Sequence, residues 1–212
     1  MNGSTYTVAQ VRQNNCFDSD SRIADLAILV FSSDVTSVST FPDVYKAAAD
    51  ESEVGHEFTL MGWGGFGVVG GTAPSVSDGT YGMFHRGYNV FTDVKNEMLV
   101  YKMDKESAGG LELEAIAYDG DSGGPAFIEV NGALQIAGIN SFGDCDPPEK
   151  CPYGSKDYYI RLGGDVAYNW IQSNMVDNGT IGVANSDCSD WPEDDSASYL
   201  SLMALVVIIT NI

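Results

Sequence analysis

Short apolar segments separated by turn-forming residues are the feature that most limits how this chain can fold. Each segment is about five to seven residues long, and clusters of Gly, Asp, Asn and Ser stand between the segments. Runs of this length fit strands better than helices. The pattern predicts an all-β fold of many strands joined by turns. The strands are predicted over 26–31, 58–63, 98–103, 126–130, 134–140 and 158–162.

One hairpin and one helix are marked by local signals. Asn131 and Gly132 stand between two predicted strands, and both positions of a two-residue hairpin turn need positive φ, which these residues tolerate. Asp165 is predicted to cap a helix that packs on the β-structure. The apolar face of this helix is formed by Val166, Ala167, Trp170, Ile171 and Met175.

Charge and composition limit the partners of the chain. With 212 residues and 44% apolar content it can fill the core of one good-sized domain. Its net charge of -20 repels phosphates, so no nucleic-acid partner is expected. No cofactor is expected either, because no helix pattern follows the GxGxxG match at 65–70. No metal is expected, since Arg22 stands where the acidic turn at 18–20 would need a further ligand.

The four cysteines favour an oxidising compartment. Cys145 and Cys151 bracket a proline-containing loop and are predicted to form a local disulfide, because no further Cys or His at short spacing completes a zinc site. Two N-glycosylation sequons, at Asn2 and Asn178, agree with a secreted protein. The partners of Cys16 and Cys188 stay open at this point.

The C-terminal part of the chain differs in composition from the rest. A domain is predicted over 1–176, followed by an acidic linker and an apolar tail over 177–212. The tail resembles a lipid-anchor signal that would attach the protein to a membrane, and the alternative is a terminus that packs on the domain or frays. The first ten residues do not have the pattern of a secretion signal.

The segment Ala117–Phe127, AYDGDSGGPAF, contains a candidate nucleophile. Gly120–Gly124 fits GxSxG, which in α/β-hydrolases is followed by a helix and later by the acid and the His. Here a predicted hairpin follows Ser122, and the only two histidines, His56 and His85, precede it. The α/β-hydrolase interpretation is therefore excluded.

The segment GDSGGP resembles the nucleophile motif of the chymotrypsin-like (trypsin-like) serine proteases. Four further segments resemble that family in the family order: ADLAILVF, FTLMGWGGFG, IAGINSFG and DYYIRLGGDVAYNWI. The resemblance implies two antiparallel six-stranded β-barrels and a C-terminal helix, with the first barrel incomplete. It also implies a secreted, monomeric endopeptidase that binds polypeptide substrates or protein inhibitors.

The resemblance assigns roles to individual residues. Ser122 corresponds to the nucleophile and Asp25 to the catalytic Asp, while the amides of Gly120 and Ser122 correspond to the oxyanion hole. Asp121 matches the residue that pairs with the new N-terminal amine after activation. The residues matched to substrate binding are Ile116, Asp119, Ser141, Phe142, Gly143 and Asp157.

Three departures from the family pattern leave questions open. Ile116 occupies the position at which a trypsin-type pocket has an Asp. Tyr118 occupies the position of a Cys whose disulfide usually shapes the pocket, so the Cys145–Cys151 disulfide is expected to replace it locally. Asp157 could attract Lys or Arg, but an apolar pocket floor fits equally well. No His precedes Asp25, which implies either a truncated protease whose His lies upstream, or a binding-only homologue. This chain is accordingly expected to be inactive.

Overall fold

The computed structural model describes residues 5–50, 52–69, 79–144, 152–175 and 188–192. Within these ranges the chain is mostly β-structure with one α-helix. The strands are β1 (Val8–Gln13), β2 (Ala27–Phe31), β3 (Asp43–Val44), β4 (Glu57–Gly62), β5 (His85–Val90), β6 (Asp93–Lys95), β7 (Met98–Lys102), β8 (Pro125–Val130), β9 (Ala133–Gly143) and β10 (Lys156–Arg161). The helix α1 spans Asp165–Met175.

The strands form one small sheet and one large, curved sheet. β1 and β2 pair antiparallel as a two-stranded sheet, which is what the described residues contain of a first barrel. The eight-stranded sheet has the order β5-β4-β8-β9-β10-β7-β6, and the short β3 pairs parallel with β9. All other neighbours in it are antiparallel.

A buried asparagine joins β5, at one edge of the large sheet, to β7, which is next to the opposite edge. The Asn89 side chain on β5 donates hydrogen bonds to the carbonyl of Lys102 on β7 (3.0 Å) and to that of Ala115 (2.9 Å). Because β5 and β7 lie far apart in the strand order, these bonds require the sheet to curl. Its inner face is thereby closed around a core.

Two apolar clusters fill the molecule. One lies inside the curled sheet, where Phe58 stacks on Phe91 with ring centroids 4.1 Å apart. The other lies between β2, the outer face of the large sheet and α1, and contains Ile28, Trp170 and Ile171. Strand residues alternate between the clusters, as Leu99 (inside) and Met98 (outside) illustrate.

The predicted all-β fold with a C-terminal helix is confirmed. All six predicted strands are present, and Asn131 and Gly132 have φ of 52° and 80°, as the hairpin turn requires. The helix differs in one detail: Asp165 is its first residue rather than its cap, and the carbonyl of Gly164 accepts the bond from the Tyr168 amide.

A disulfide links the two ends of the described chain. Cys16 is bonded to Cys188, with Cα atoms 5.3 Å apart. The predicted Cys145–Cys151 disulfide, the apolar tail and the boundary at 176/177 lie outside the described residues and stay predictions. Among the described helices, none is long and apolar enough to cross a membrane.

Candidate active site

Ser122 lies in a tight turn that leads into β8. Gly120 and Gly123 have φ of 93° and 82°, a conformation that glycine adopts readily. The turn is held on β9 by two backbone bonds, from Gly123 to Asn140 (2.9 Å) and from Asn140 to Gly124 (2.8 Å). Ser122 itself is exposed. The sequence thus builds a rigid turn that presents one hydroxyl to solvent.

Two backbone amides beside this hydroxyl are available as donors. The N–H groups of Gly120 and Ser122 donate to no partner within the part of the chain that the structure describes, whereas that of Asp121 donates to the Tyr118 carbonyl (2.9 Å). Unpaired donors at these two positions match the requirement of an oxyanion hole.

The Asp121 carboxylate is held by the turn's surroundings. It accepts hydrogen bonds from the amides of Gly64 (2.9 Å) and Tyr118 (3.1 Å), and it lies 3.6 Å from Nε2 of His85. A Cβ added at Gly62 would come within 1.9 Å of Oδ1 of Asp121. The GWG segment is therefore glycine-rich because the carboxylate occupies the space of a side chain.

Asp25 is buried at the junction of the two sheets. It is 2% exposed, and its Oδ2 accepts a hydrogen bond of 2.7 Å from the Ser141 hydroxyl. Ala24 before it has a φ of 56°, which is unfavourable for alanine and fixes the direction of entry into β2. Because Ser141 follows Asn140 on β9, the same strand holds both Asp25 and the Ser122 turn.

The residues matched to substrate binding lie in two separate segments, the end of β9 and the segment that precedes the Ser122 turn. Ser141, Phe142 and Gly143 form the end of β9, and the Phe142 ring stacks on Tyr158 with centroids 4.5 Å apart. In the second segment, Ile116 packs against the inner core. Asp119 is exposed and accepts a hydrogen bond from the Tyr81 hydroxyl (3.1 Å).

Asp157 is buried and hydrogen-bonded rather than open to a ligand. It is 3% exposed and accepts a 3.0 Å hydrogen bond from the hydroxyl of Tyr101. Burial raises the pKa of Asp157 well above its usual range, and burial beside this acid raises the pKa of Tyr101 as well. Sequence reasoning missed Tyr101, which lies in β7, outside the segments that carry the resemblance.

Neither histidine is placed to serve Ser122. Nδ1 of His85 is 3.0 Å from the Met83 carbonyl and its Nε2 faces Asp121, so both ring nitrogens have other neighbours. His56 is exposed in the turn before β4, where its amide donates to the Glu53 carbonyl. Among the described side chains, the Ser122 hydroxyl therefore has no imidazole partner.

A cavity of about 1050 Å³ borders the nucleophile turn. Its wall is formed by the turn, by the end of β4, by β3, by β8 and the first part of β9, and by α1. Apolar side chains contribute much of the lining, among them Trp63, Ile139 and Leu162.

A family model described as Trypsin matches residues 2–171. The chain belongs to the trypsin family. The match spans β1 through most of α1, so it includes Asp25, the Ser122 turn and the β9 segment. Membership assigns the chain to the class of serine-protease domains and agrees with the curled sheet and C-terminal helix. None of the curated proteins matches the chain significantly.

Proposed function

We propose that this trypsin-family domain is a serine endopeptidase whose acyl-enzyme forms on Ser122. The observation that carries the proposal is the 2.7 Å bond between Asp25 and Ser141, because it attaches a buried carboxylate to the strand that also holds the Ser122 turn. A buried carboxylate near a nucleophilic Ser can orient an imidazole and stabilise it when it is charged.

The residues of the turn would perform two steps. The Ser122 hydroxyl would attack the carbonyl carbon of the substrate, forming a C–O bond and passing its proton to the base. The amides of Gly120 and Ser122 would stabilise the oxyanion, at about 2.7 to 4 kcal/mol for each donor. The base then returns the proton to the leaving amine as the C–N bond breaks.

The base itself is proposed to come from residues upstream of this sequence. His85 is turned to Asp121 and His56 is exposed in a distant turn, so neither supports this role. Since loss of the base costs about 10⁶-fold in such a mechanism, the 212-residue chain alone should be nearly inactive.

The test compares this chain with a longer product of the same gene. We expect the longer protein to hydrolyse peptide esters and to be labelled by a fluorophosphonate at Ser122, and the 212-residue chain to do neither. Ser122→Ala should abolish labelling, and the matched variants His56→Ala and His85→Ala should leave turnover of the longer protein measurable. Robust hydrolysis by the 212-residue chain would contradict the missing base.

A second candidate is a binding-only homologue, favoured because Ser122 has no imidazole partner among the side chains that the structure describes. It predicts that the longer, folded protein binds peptides in the same cleft and yet resists the fluorophosphonate. Mass spectrometry of the labelled peptide decides between the two functions.

A further inference from the structure

His85 lies beside the carboxylate that anchors the Ser122 turn. It is the first residue of β5 and pairs with Gly62 of β4. Nε2 of its ring is 3.6 Å from Oδ2 of Asp121, and the two side chains are 27% and 8% exposed. Asp121 directly precedes the nucleophile in sequence, so a displacement of its carboxylate is transmitted to Ser122 through one peptide unit.

Both nitrogens of the His85 ring face oxygen atoms that can only accept a hydrogen bond. Nδ1 is 3.0 Å from the Met83 carbonyl, which accepts a hydrogen bond from an N–H group at this nitrogen. A neutral ring that carries its proton on Nδ1 turns the lone pair of Nε2 toward the Asp121 carboxylate. Only the imidazolium ring can donate to both oxygens at once.

The space between His85 and Asp121 is almost closed. The cavity there has a volume of about 10 Å³ and is bordered by the end of β4, by these two side chains and by Tyr159. Because a water molecule needs a cavity of at least about 10 to 15 Å³, one water is the most that fits. An inserted N-terminal residue would fit only if the imidazole ring moved away. Among the ion pairs of the described residues, Asp121 takes part only in that with His85.

We propose that His85, in its charged form, is the counter-ion of Asp121 and is thereby a positioning residue for the Ser122 turn. A side chain of the chain itself holds the turn in its ordered form, without a newly cut N-terminal amine. The amides of Gly120 and Ser122 are then in place before any activating cleavage. The inference rests on the proposed function only for what the turn does, because the pair and its effect on the turn can be measured without turnover.

Apart from Asp121, the groups that face His85 carry no charge at neutral pH. The β4 residues that border the small cavity are not ionisable, and the Phe66 ring has its centroid 5.3 Å from that of the imidazole. On β10, the Tyr159 phenol borders the same cavity, and burial raises its pKa further above neutrality. Arg86, the next residue of β5, points to the opposite face of the sheet.

Hydrogen–deuterium exchange of the 212-residue chain tests the pair, since it reports the order of the turn without catalysis. The amides of Tyr118 and Gly123 are hydrogen-bonded in the ordered turn. His85→Gln, which is neutral at every pH, should speed exchange in the segment 117–124 about tenfold, because the Asp121 charge loses its partner. Exchange in β7 should not change.

Two further variants separate charge from packing. His85→Lys provides a permanent cation on a flexible side chain and should slow the exchange of the turn again relative to His85→Gln. His56→Gln removes the other histidine, which is exposed, and should leave the turn unchanged. Equal exchange in the wild type and a His85→Gln variant that is folded by circular dichroism would overturn the proposal. So would a folded His85→Lys variant that exchanges as fast as His85→Gln.

The pH dependence of the wild type decides the question if His85→Gln does not fold. Histidine is the side chain that changes its charge between about pH 5 and 8. After correction for the intrinsic effect of pH on exchange, the rate in 117–124 relative to β7 should rise about tenfold from pH 5.5 to pH 8.5. A constant ratio would overturn the proposal. A failure of Ser122 labelling in the longer protein would count against the proposed function alone, because these rates do not depend on turnover.

Discussion

Asp157 shows how a single residue can make stability depend on pH. Its carboxyl group is 3% exposed, and burial raises its pKa well above the usual range. Between the pKa of the unfolded chain and the raised native pKa, the native state binds more protons than the unfolded state. The contribution of Asp157 to the free energy of unfolding therefore falls as pH rises through that interval, and it is largest below the pKa of the unfolded chain.

Replacing Asp157 with Asn tests this sign. Asn stays neutral at all pH values and keeps an oxygen that can accept the Tyr101 hydroxyl. The stability of the wild type relative to Asp157→Asn should be highest near pH 4 and should decline as pH rises. Urea unfolding of both proteins from pH 4 to pH 8 measures the difference, in which other carboxylates cancel.

A matched control removes a carboxylate from the surface. Glu129 is exposed on β8, so Glu129→Gln should show a difference from the wild type that changes much less with pH. An Asp157→Asn difference as flat as that of the control would contradict the burial argument.

A buried ion pair joins β10 to the segment before β4. Arg161, the last residue of β10, donates from Nε and a terminal nitrogen to Glu53 in the segment before β4, at 2.9 and 3.0 Å. Arg161 is 2% exposed and Glu53 is fully buried. Removing one partner of such a pair leaves an uncompensated charge in the interior.

We expect Glu53→Gln to reduce the free energy of unfolding by about 3 to 5 kcal/mol. The control is Asp50→Asn, since Asp50 is exposed and lies 3.9 Å from the same guanidinium group. Asp50→Asn should change stability little, because surface charges are well solvated. Chemical denaturation measures both, and equal effects would show that the buried pair has no special role.

The longer strands that carry several apolar side chains into a core could be predicted from the sequence, and β5, which has none at its buried positions, could not. β7 and β8 carry apolar side chains toward the inner core and were expected. β5 was missed because its inward positions are Gly87 and Asn89, neither of which is apolar. Asn89 is stable there because two carbonyls accept its amide, a compensation that only the folded sheet reveals.

At the scale of the whole molecule, the dominant feature is the large excess of negative over positive charge. The chain has 30 acidic residues against 10 Lys and Arg, and like charges oppose compaction. Raising NaCl from about 10 mM to about 150 mM shortens the Debye length from about 30 Å to about 8 Å. The urea midpoint should therefore increase with salt. A midpoint that falls would contradict net repulsion.

Parts of the site could be predicted because the sequence motifs coincide with single turns and strand ends. Ser122 and its glycines form one local turn, so a short motif is enough to locate them. The hydrogen bond between Asp25 and Ser141 joins residues 116 positions apart, and no local pattern predicts it. The Tyr101–Asp157 hydrogen bond and the Cys16–Cys188 disulfide could not be predicted, because both join residues that are far apart in sequence. A tyrosine in an apolar strand does not by itself indicate an acid opposite, and four cysteines allow three pairings.

The Cys16–Cys188 bond also affects what a cut in the backbone can do. Its half-cystines are 172 residues apart in sequence, and Asp25 and Ser122 both lie between them. A single nick in any surface turn of that span would leave both fragments in one covalent molecule, separable only after reduction. The two halves of the candidate site would stay tethered even in a domain that had cleaved itself.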